Sequence, residues 1–273
     1  MLSFKEITAL KKSKKARDEQ GLFVAEGRKL FFEAPRDRIV QVLMTREFAA
    51  EHPEVLSAIP KDTPAAVDVE EGRFHSLSDT KTPQGILTVM RKMEWDPDAV
   101  LASSGDPSRA RLYCILENLQ DPGNAGTILR TGEAAGVGAV FLTEGSVDLY
   151  SPKVIRSTMG SIFRVPHFVI PQETNMQAFC SPAVSFVRKL RKQGIGVYAA
   201  HLRGSKAYTD CDYRRAAAFV IGNESKGVSD ELAAECSELI RIPMAGEVES
   251  LNAAMAAGIL LYEAVRQAGA GLR

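Results

Sequence analysis

Several patterns that would assign this chain to a special class are missing. Its 4 cysteines, Cys114, Cys180, Cys211 and Cys236, lie far apart and form no C-x-x-C pair. That spacing argues against a structural zinc site and a disulfide framework, and it fits a reducing compartment. There is no net charge, with 34 Lys and Arg against 34 Asp and Glu. A uniformly basic nucleic-acid binder is thereby excluded, while a local basic patch is not. Long hydrophobic runs are absent too. The longest candidate, Leu251 to Val265, is rich in alanine and broken by Asn252 and Glu263, and it falls short of the roughly 20 apolar residues of a membrane span. The opening MLSFKEITALKKSKKARDEQG carries no signal-type apolar run, so a soluble, cytoplasmic protein without membrane contact is expected. No internal repeat or low-complexity tract is evident.

What is present reads as two regions. A length of 273 residues suits one large domain or two ordinary ones. Near the start, Lys5, Lys11, Lys12, Lys14, Lys15 and Arg17 crowd a helix-like segment in which only Glu6 opposes them. LFVAEGRKLFFEA follows as an extended piece and a helix. RIVQVLMT and QGILTVM read as strands from their β-branched and apolar content, with the short helical start VEEGRFHSLSDT between them. This alternation predicts a small α/β domain over residues 1–92. The stretch Arg91 to Ala110 is rich in Pro, Gly, Ser and Asp and marks a linker, placed at 93–109.

From residue 110 to 273, strands and helices alternate. RLYCILENL, AVFL, PHFVI, GVYAA, AAAFVIG and ELIRIP read as strands. SPKVIRSTMGSIF and SPAVSFVRKLRKQG each open on Ser-Pro, a cap followed by proline in the first turn. SLNAAMAAGILLYEAVRQAG is the closing helix. The pattern predicts a mostly parallel sheet covered on both faces.

In such a sheet, ligands gather at the carboxyl ends of strands. Three of those ends carry polar turns: ENLQDPGNAGTILR, IGNESKG and IPMAGEVESLN. The first fails as a dinucleotide cradle, because Gly123 and Gly126 stand in G-x-x-G spacing and GVG falls where a helix stops. Its notable residues are Asn124 and Arg130, six apart and on different helix faces. Read singly, Asn124 fits an N-cap and Arg130 a solvated charge as well as either fits a ligand contact. The same openness holds for Ser250 and Asn252 as caps of the last helix, and for the Asn223 and Glu224 turn.

Together and in this order, the three segments resemble the SpoU (TrmH-like) branch of the SPOUT RNA methyltransferases. Its first motif corresponds to NLQDPGNAGTILRTGEAAGV, its second to VIGNESKGVSDEL and its third to IRIPMAGEVESLNAAMAAGILLYE. SPKVIRSTMGSIFRVP is similar to the family's segment between the first two, and KKSKKARDEQGLFVAEGRKLFFEA to the RNA substrate-binding domain often fused to these enzymes. The resemblance implies a trefoil-knotted α/β fold, a homodimer, and S-adenosylmethionine as methyl donor without a metal. It implies transfer to a ribose 2′-OH of RNA, with large-subunit ribosomal RNA ahead of tRNA. The rival is a non-catalytic RNA-binding or ribosome-assembly factor with a vestigial cofactor site. Carried over, Asn124, Arg130, Glu224, Ser250 and Asn252 are implied in catalysis, and Gly222, Asn223, Ile242, Met244, Gly246 and Leu251 in enclosing the cofactor. Lys11, Lys12, Lys14, Lys15 and Arg17 are expected to meet RNA phosphates, which makes binding salt-dependent.

Overall fold

The structure, a computed structural model, describes residues 1–102, 112–170 and 181–269. The chain packs into two compact units, Met1–Glu94 with Asp148–Phe163, and Trp95–Val147 with Arg164–Arg273.

The first unit opens on α1 (Phe4–Lys12), set by a capping box in which Ser3 and Glu6 exchange hydrogen bonds. α2 (Lys14–Gln20) ends at Gly21, whose φ of 63° is the left-handed stop that glycine tolerates. Next come β1 (Leu22–Glu26), α3 (Arg28–Glu33), β2 (Ile39–Thr45), α4 (Arg46–Glu51) and α5 (Pro53–Ala58), then β3 (Ala65–Val69), α6 (Glu71–Leu77) and β4 (Ile86–Arg91). The sheet runs β1-β4-β2-β3, antiparallel except for the parallel β2–β3 pair. Ile7, Leu10, Val24, Leu43, Phe74 and Leu87 fill its core.

The second unit starts within the stretch read as a linker. There, α7 (Pro97–Ala102) inserts Leu101 into the core beside Tyr113, Ile115 and Val187. Residues 103–110 of that stretch lie outside the described residues. β5 (Leu112–Leu116), α8 (Pro122–Ala134), β6 (Ala139–Leu142), β7 (His167–Val169), α10 (Pro182–Lys192) and β8 (Gly196–Ala200) follow, and α9 (Pro152–Thr158), which comes between β6 and β7 in the chain, belongs to the first unit. The chain continues through β9 (Lys206–Ala207), β10 (Ala217–Ile221), α11 (Asp230–Glu235), β11 (Glu238–Arg241) and α12 (Ala253–Gln267). The two-residue β9 lies in the polar stretch read as a connection; it is too short to leave a periodic signal.

The seven strands run β7-β6-β5-β10-β8-β11-β9 and every pair is parallel. Central β5 and β10 are buried along their whole length, as a sheet covered on both faces requires. β10, which comes late in the chain, pairs with β5 (Ala217 beside Leu112, Ile221 beside Leu116). This crossover sets the first and second polar turns next to each other. Between β6 and β7 the chain leaves the sheet, and Asp148–Phe163, including α9, packs with the first unit. Tyr150 packs against Phe23 with ring centres 4.8 Å apart and the planes tilted by 50°, and its hydroxyl accepts from the Met93 N–H at 2.9 Å.

Candidate active site

The site is built from the ends of β5, β10 and β11. After β5, the chain turns through Asn118, held at φ 50°, into α8. The cap of α8 is Asp121, whose carboxylate accepts from the Asn124 N–H at 2.8 Å, with Pro122 in the first turn. Asn124 is therefore not the cap. Its side chain is free for other partners, although the residue is buried.

After β10, Gly222 has no room for a side chain: a Cβ there would stand 2.1 Å from the Gly227 carbonyl carbon. Only glycine lets the turn close on itself, with Asn223 and Gly227 exchanging backbone hydrogen bonds at 3.1 and 2.9 Å. Asn223 Nδ2 donates to the Asn118 carbonyl at 2.8 Å, stitching this turn to the first.

Glu224 completes the junction. It accepts from the backbone N–H of Asp121 at 2.9 Å and of Gln120 at 3.1 Å, and from Asn124 Nδ2 at 3.1 Å. Desolvation, the largest single influence on its carboxyl, pushes the pKa up, but the hydrogen bonds from Asp121, Asn124, its own backbone and Gln120 together outweigh it. The net result lies below the usual carboxylate range, so Glu224 is a fixed anion and acceptor at neutral pH. Asn252 caps α12 by accepting from Ala254 and Met255 N–H at 2.9 and 3.3 Å, and its Nδ2 donates to Asn124 Oδ1 at 2.8 Å. Glu224, Asn124 and Asn252, from three segments, thus form one hydrogen-bonded chain.

Beside this chain lies a cavity of about 970 Å³, within the size range of small-molecule sites. Gly222, Asn223, Glu224, Ile242, Met244, Ser250 and Leu251 line it, joined by Ile221, Ile240 and Ala253. Gly246 does not; it sits in the exposed loop before α12. Ser250 is exposed and caps nothing, because Asn252 takes that role. Ala200, His201, Leu202 and Arg203 supply a wall that sequence reasoning missed. They follow β8 and carry no motif; their place at a strand end was the available signal. Arg203 is held there by an ion pair to Asp230. Arg130 is exposed on α8 while Asn124 is buried, in keeping with their different helix faces, and no side chain among the described residues pairs with Arg130.

In the first unit the structure divides the basic cluster. Lys11 is buried and pairs with Asp79 at 3.1 Å. Arg17 is buried as well, donating to Asp148 at 2.6 Å and to the carbonyls of Leu10 and Lys11. Neither presents its charge to an external phosphate. Lys12, Lys14 and Lys15 are exposed, and Lys15 faces Glu19 at 3.7 Å.

A parallel α/β sheet with three interlocked polar turns around a cavity at its carboxyl edge defines a ligand-binding enzyme domain of the open-sheet class. Residues 111–262 match the SpoU rRNA Methylase family, and residues 3–88 match the MRM3-like substrate binding domain. The chain belongs to the SpoU methylase family. It is 31% identical over 254 residues to the 23S rRNA (guanosine(2553)-2′-O)-methyltransferase RlmP of Bacillus subtilis, covering 92% of this chain and 91% of that one. Among solved structures, it resembles the SpoU methyltransferase AviRb of Streptomyces viridochromogenes in complex with AdoMet, at TM-score 0.82 and 26% identity over 98% of both chains. An AdoMet-bound rRNA methyltransferase from Sinorhizobium meliloti aligns at TM-score 0.76 and 32% identity, over 96% of this chain and 94% of that one.

Proposed function

We propose that this protein transfers a methyl group from S-adenosylmethionine to a ribose 2′-OH of large-subunit ribosomal RNA. The observation that carries the reading is the Glu224–Asn124–Asn252 chain, closed at hydrogen-bond distance beside the cavity. The cavity fits the cofactor: Ile221, Ile240, Ile242 and Leu251 offer apolar walls for a purine and a thioether chain. Asn223 and the polar backbone around Gly222 and Met244 offer partners for ribose and amino-acid groups.

Bound S-adenosylmethionine would supply an electrophilic sulfonium methyl, its bonding pair staying on sulfur while the ribose oxygen takes the methyl and gives its proton up to solvent. The chain's own contribution is positional. Glu224 and Asn252 fix Asn124 rigidly at the start of α8, and Gly222 and Leu251 shape the wall against which the donor lies. Arg130, through its planar, fork-shaped guanidinium, acts as a two-pronged clamp on an RNA phosphate or the 2′-oxygen. The first unit selects the RNA through Lys12, Lys14 and Lys15, and the second unit performs the transfer.

By the same reading the protein is a cytoplasmic homodimer with a trefoil-knotted C-terminal region. Met255 and Tyr262, exposed on one face of α12, give a second copy an apolar surface. The packing of α12 on α8 and β10 supports the knotted reading.

Mapping 2′-O-methyl sites on total RNA with and without the protein tests the reaction: loss of one site in large-subunit rRNA is expected, and loss of a tRNA site would redirect the substrate. Calorimetry with S-adenosylmethionine must show binding; no heat would favour the non-catalytic reading. Arg130→Ala should cut transfer more than about 100-fold, roughly 2.7 kcal/mol of barrier, while leaving donor affinity within about twofold. Light scattering should give twice the chain mass.

A further inference from the structure

The turn from Gly222 to Val228 forms one wall of the cavity, and its two ends are held by a residue that no motif reading singled out. Glu117 follows β5 and is buried, only 7% exposed. Its N–H donates to the carbonyl of Ile221, the residue entering the turn, at 2.9 Å. Its carboxylate accepts from both the N–H and the hydroxyl of Ser229, the residue leaving the turn, at 2.8 and 2.6 Å. The Ser229 oxygen in turn accepts from the Leu232 N–H at 3.3 Å, capping α11. One residue therefore clasps the entry and the exit of the cavity-lining turn, while Glu224 ties its tip to the α8 start.

A carboxylate suits this place, because its two oxygens accept from the Ser229 N–H and hydroxyl together. A glutamine of the same shape keeps one acceptor but drops the charge, and its N–H₂ makes the hydroxyl turn and accept instead. A buried anion also needs such partners to remain. Its charge is felt nearby: burial first, and then Glu117, push the Cys236 thiol up to about 12.

We propose that Glu117 is a positioning residue for the methyl-donor site, holding the 222–228 turn in its closed form so that the cavity is preorganised before ligand arrives. It touches no reacting atom; it acts through Ser229 and the turn. Preorganisation lowers the ordering cost of binding, so the residue sets donor affinity rather than the chemical step. The proposal rests on the S-adenosylmethionine reading of the cavity, but its structural half is measurable without any ligand.

The experiment compares full-length wild type, Glu117→Gln, Ser229→Ala and the double variant. Amide hydrogen exchange of the ligand-free proteins is expected to rise about tenfold at Asn223 and Gly227 in each variant, with the β5 and β10 amides unchanged. Calorimetry with S-adenosylmethionine should show Kd rising about tenfold for Glu117→Gln. KM for the donor should rise in parallel and kcat should stay within about threefold. The double variant should be no worse than Glu117→Gln alone, because the two residues act as one unit. Unchanged exchange at Asn223 and Gly227, a uniform rise across the whole sheet, or additive losses in the double variant would each overturn the proposal. If Glu117→Gln does not fold, Ser229→Ala carries the same test, since it removes one of the two bonds and keeps the carboxylate. Should wild type bind no S-adenosylmethionine, the cofactor reading fails, while the exchange data still decide whether Glu117 closes the turn.

Discussion

The two units handle polar residues in opposite ways. In the first, cations that stand within a few residues of one another are separated by folding: Lys11 and Arg17 turn inward to Asp79 and Asp148, while Lys12 and Lys14 stay in solvent. In the second, polar residues far apart in the chain are gathered: Asn124 and Asn252 are 128 positions apart and hydrogen-bonded. Density of charge along a chain is thus a poor guide to a binding face. Lys11 lies four residues after Ile7, on the buried stripe of α1, so its stem follows the apolar face and its amine finds a carboxylate. A site reveals itself instead by distant groups that satisfy one another.

That contrast can be broken by experiment, beginning where the effect is largest. Arg17→Met should destabilise the first unit by about 3–5 kcal/mol, because it takes the buried guanidinium away from the half-buried Asp148 carboxylate and from the Leu10 and Lys11 carbonyls; urea unfolding measures it. An unchanged midpoint would return Arg17 to the candidate RNA contacts. Next is the pH response of the second unit. Burial first lowers the pKa of His167 to about 4, against which its hydrogen bond to the Val165 carbonyl works only partly. The unfolded chain, titrating near 6.5, therefore binds more protons between about 4 and 6.5. The stability contributed by neutral His167 is complete above that window and lost as pH falls through it, by about 3 kcal/mol. His167→Gln should flatten the slope of unfolding free energy over those pH values.

Smaller effects sharpen the picture of the site. Asn252→Ala removes the α12 cap and leaves buried Asn124 without its Oδ1 partner, a loss of about 1–3 kcal/mol. It should also lower methyl transfer, and a wild-type melting curve would show that the junction is not under tension. Smallest is the RNA term. Lys12→Ala and Lys14→Ala should leave stability untouched and weaken RNA binding a few-fold each. The slope of log K against log salt should fall by about 0.7–0.9 for each phosphate that is no longer neutralised. Equal effects from Lys11→Ala on binding and none on stability would reverse the division drawn for the first unit.

Much of this was legible in the residues. The three polar turns sit at the ends of β5, β10 and β11 as the strand–helix alternation requires, and Ser181-Pro182 opens α10 as a cap and first-turn proline should. Less legible was the cap of α8. Asp121-Pro122 carries the same signature one turn before Asn124, and reading it would have freed Asn124 from the cap at once. Glu117 left no local sign, since its partner Ser229 is 112 residues away. The same is true of Asp148–Phe163, which follows the first polar turn in sequence yet packs with the first unit through Tyr150 and Asp148.

Residue order alone set most of the element types, α7 and β9 excepted, together with the parallel sheet and the three turns, because periodicity, caps and glycines act over a few neighbouring residues and need no distant partner. Which cations face water, which residue clasps the donor turn, and where the 148–163 segment packs were decided only in the folded chain. A buried charge is stable only beside its counter-charge or donors, and those come from distant parts of the sequence: Asp79 and Asp148 for Lys11 and Arg17, and Ser229, brought by the crossover that sets β10 against β5, for Glu117.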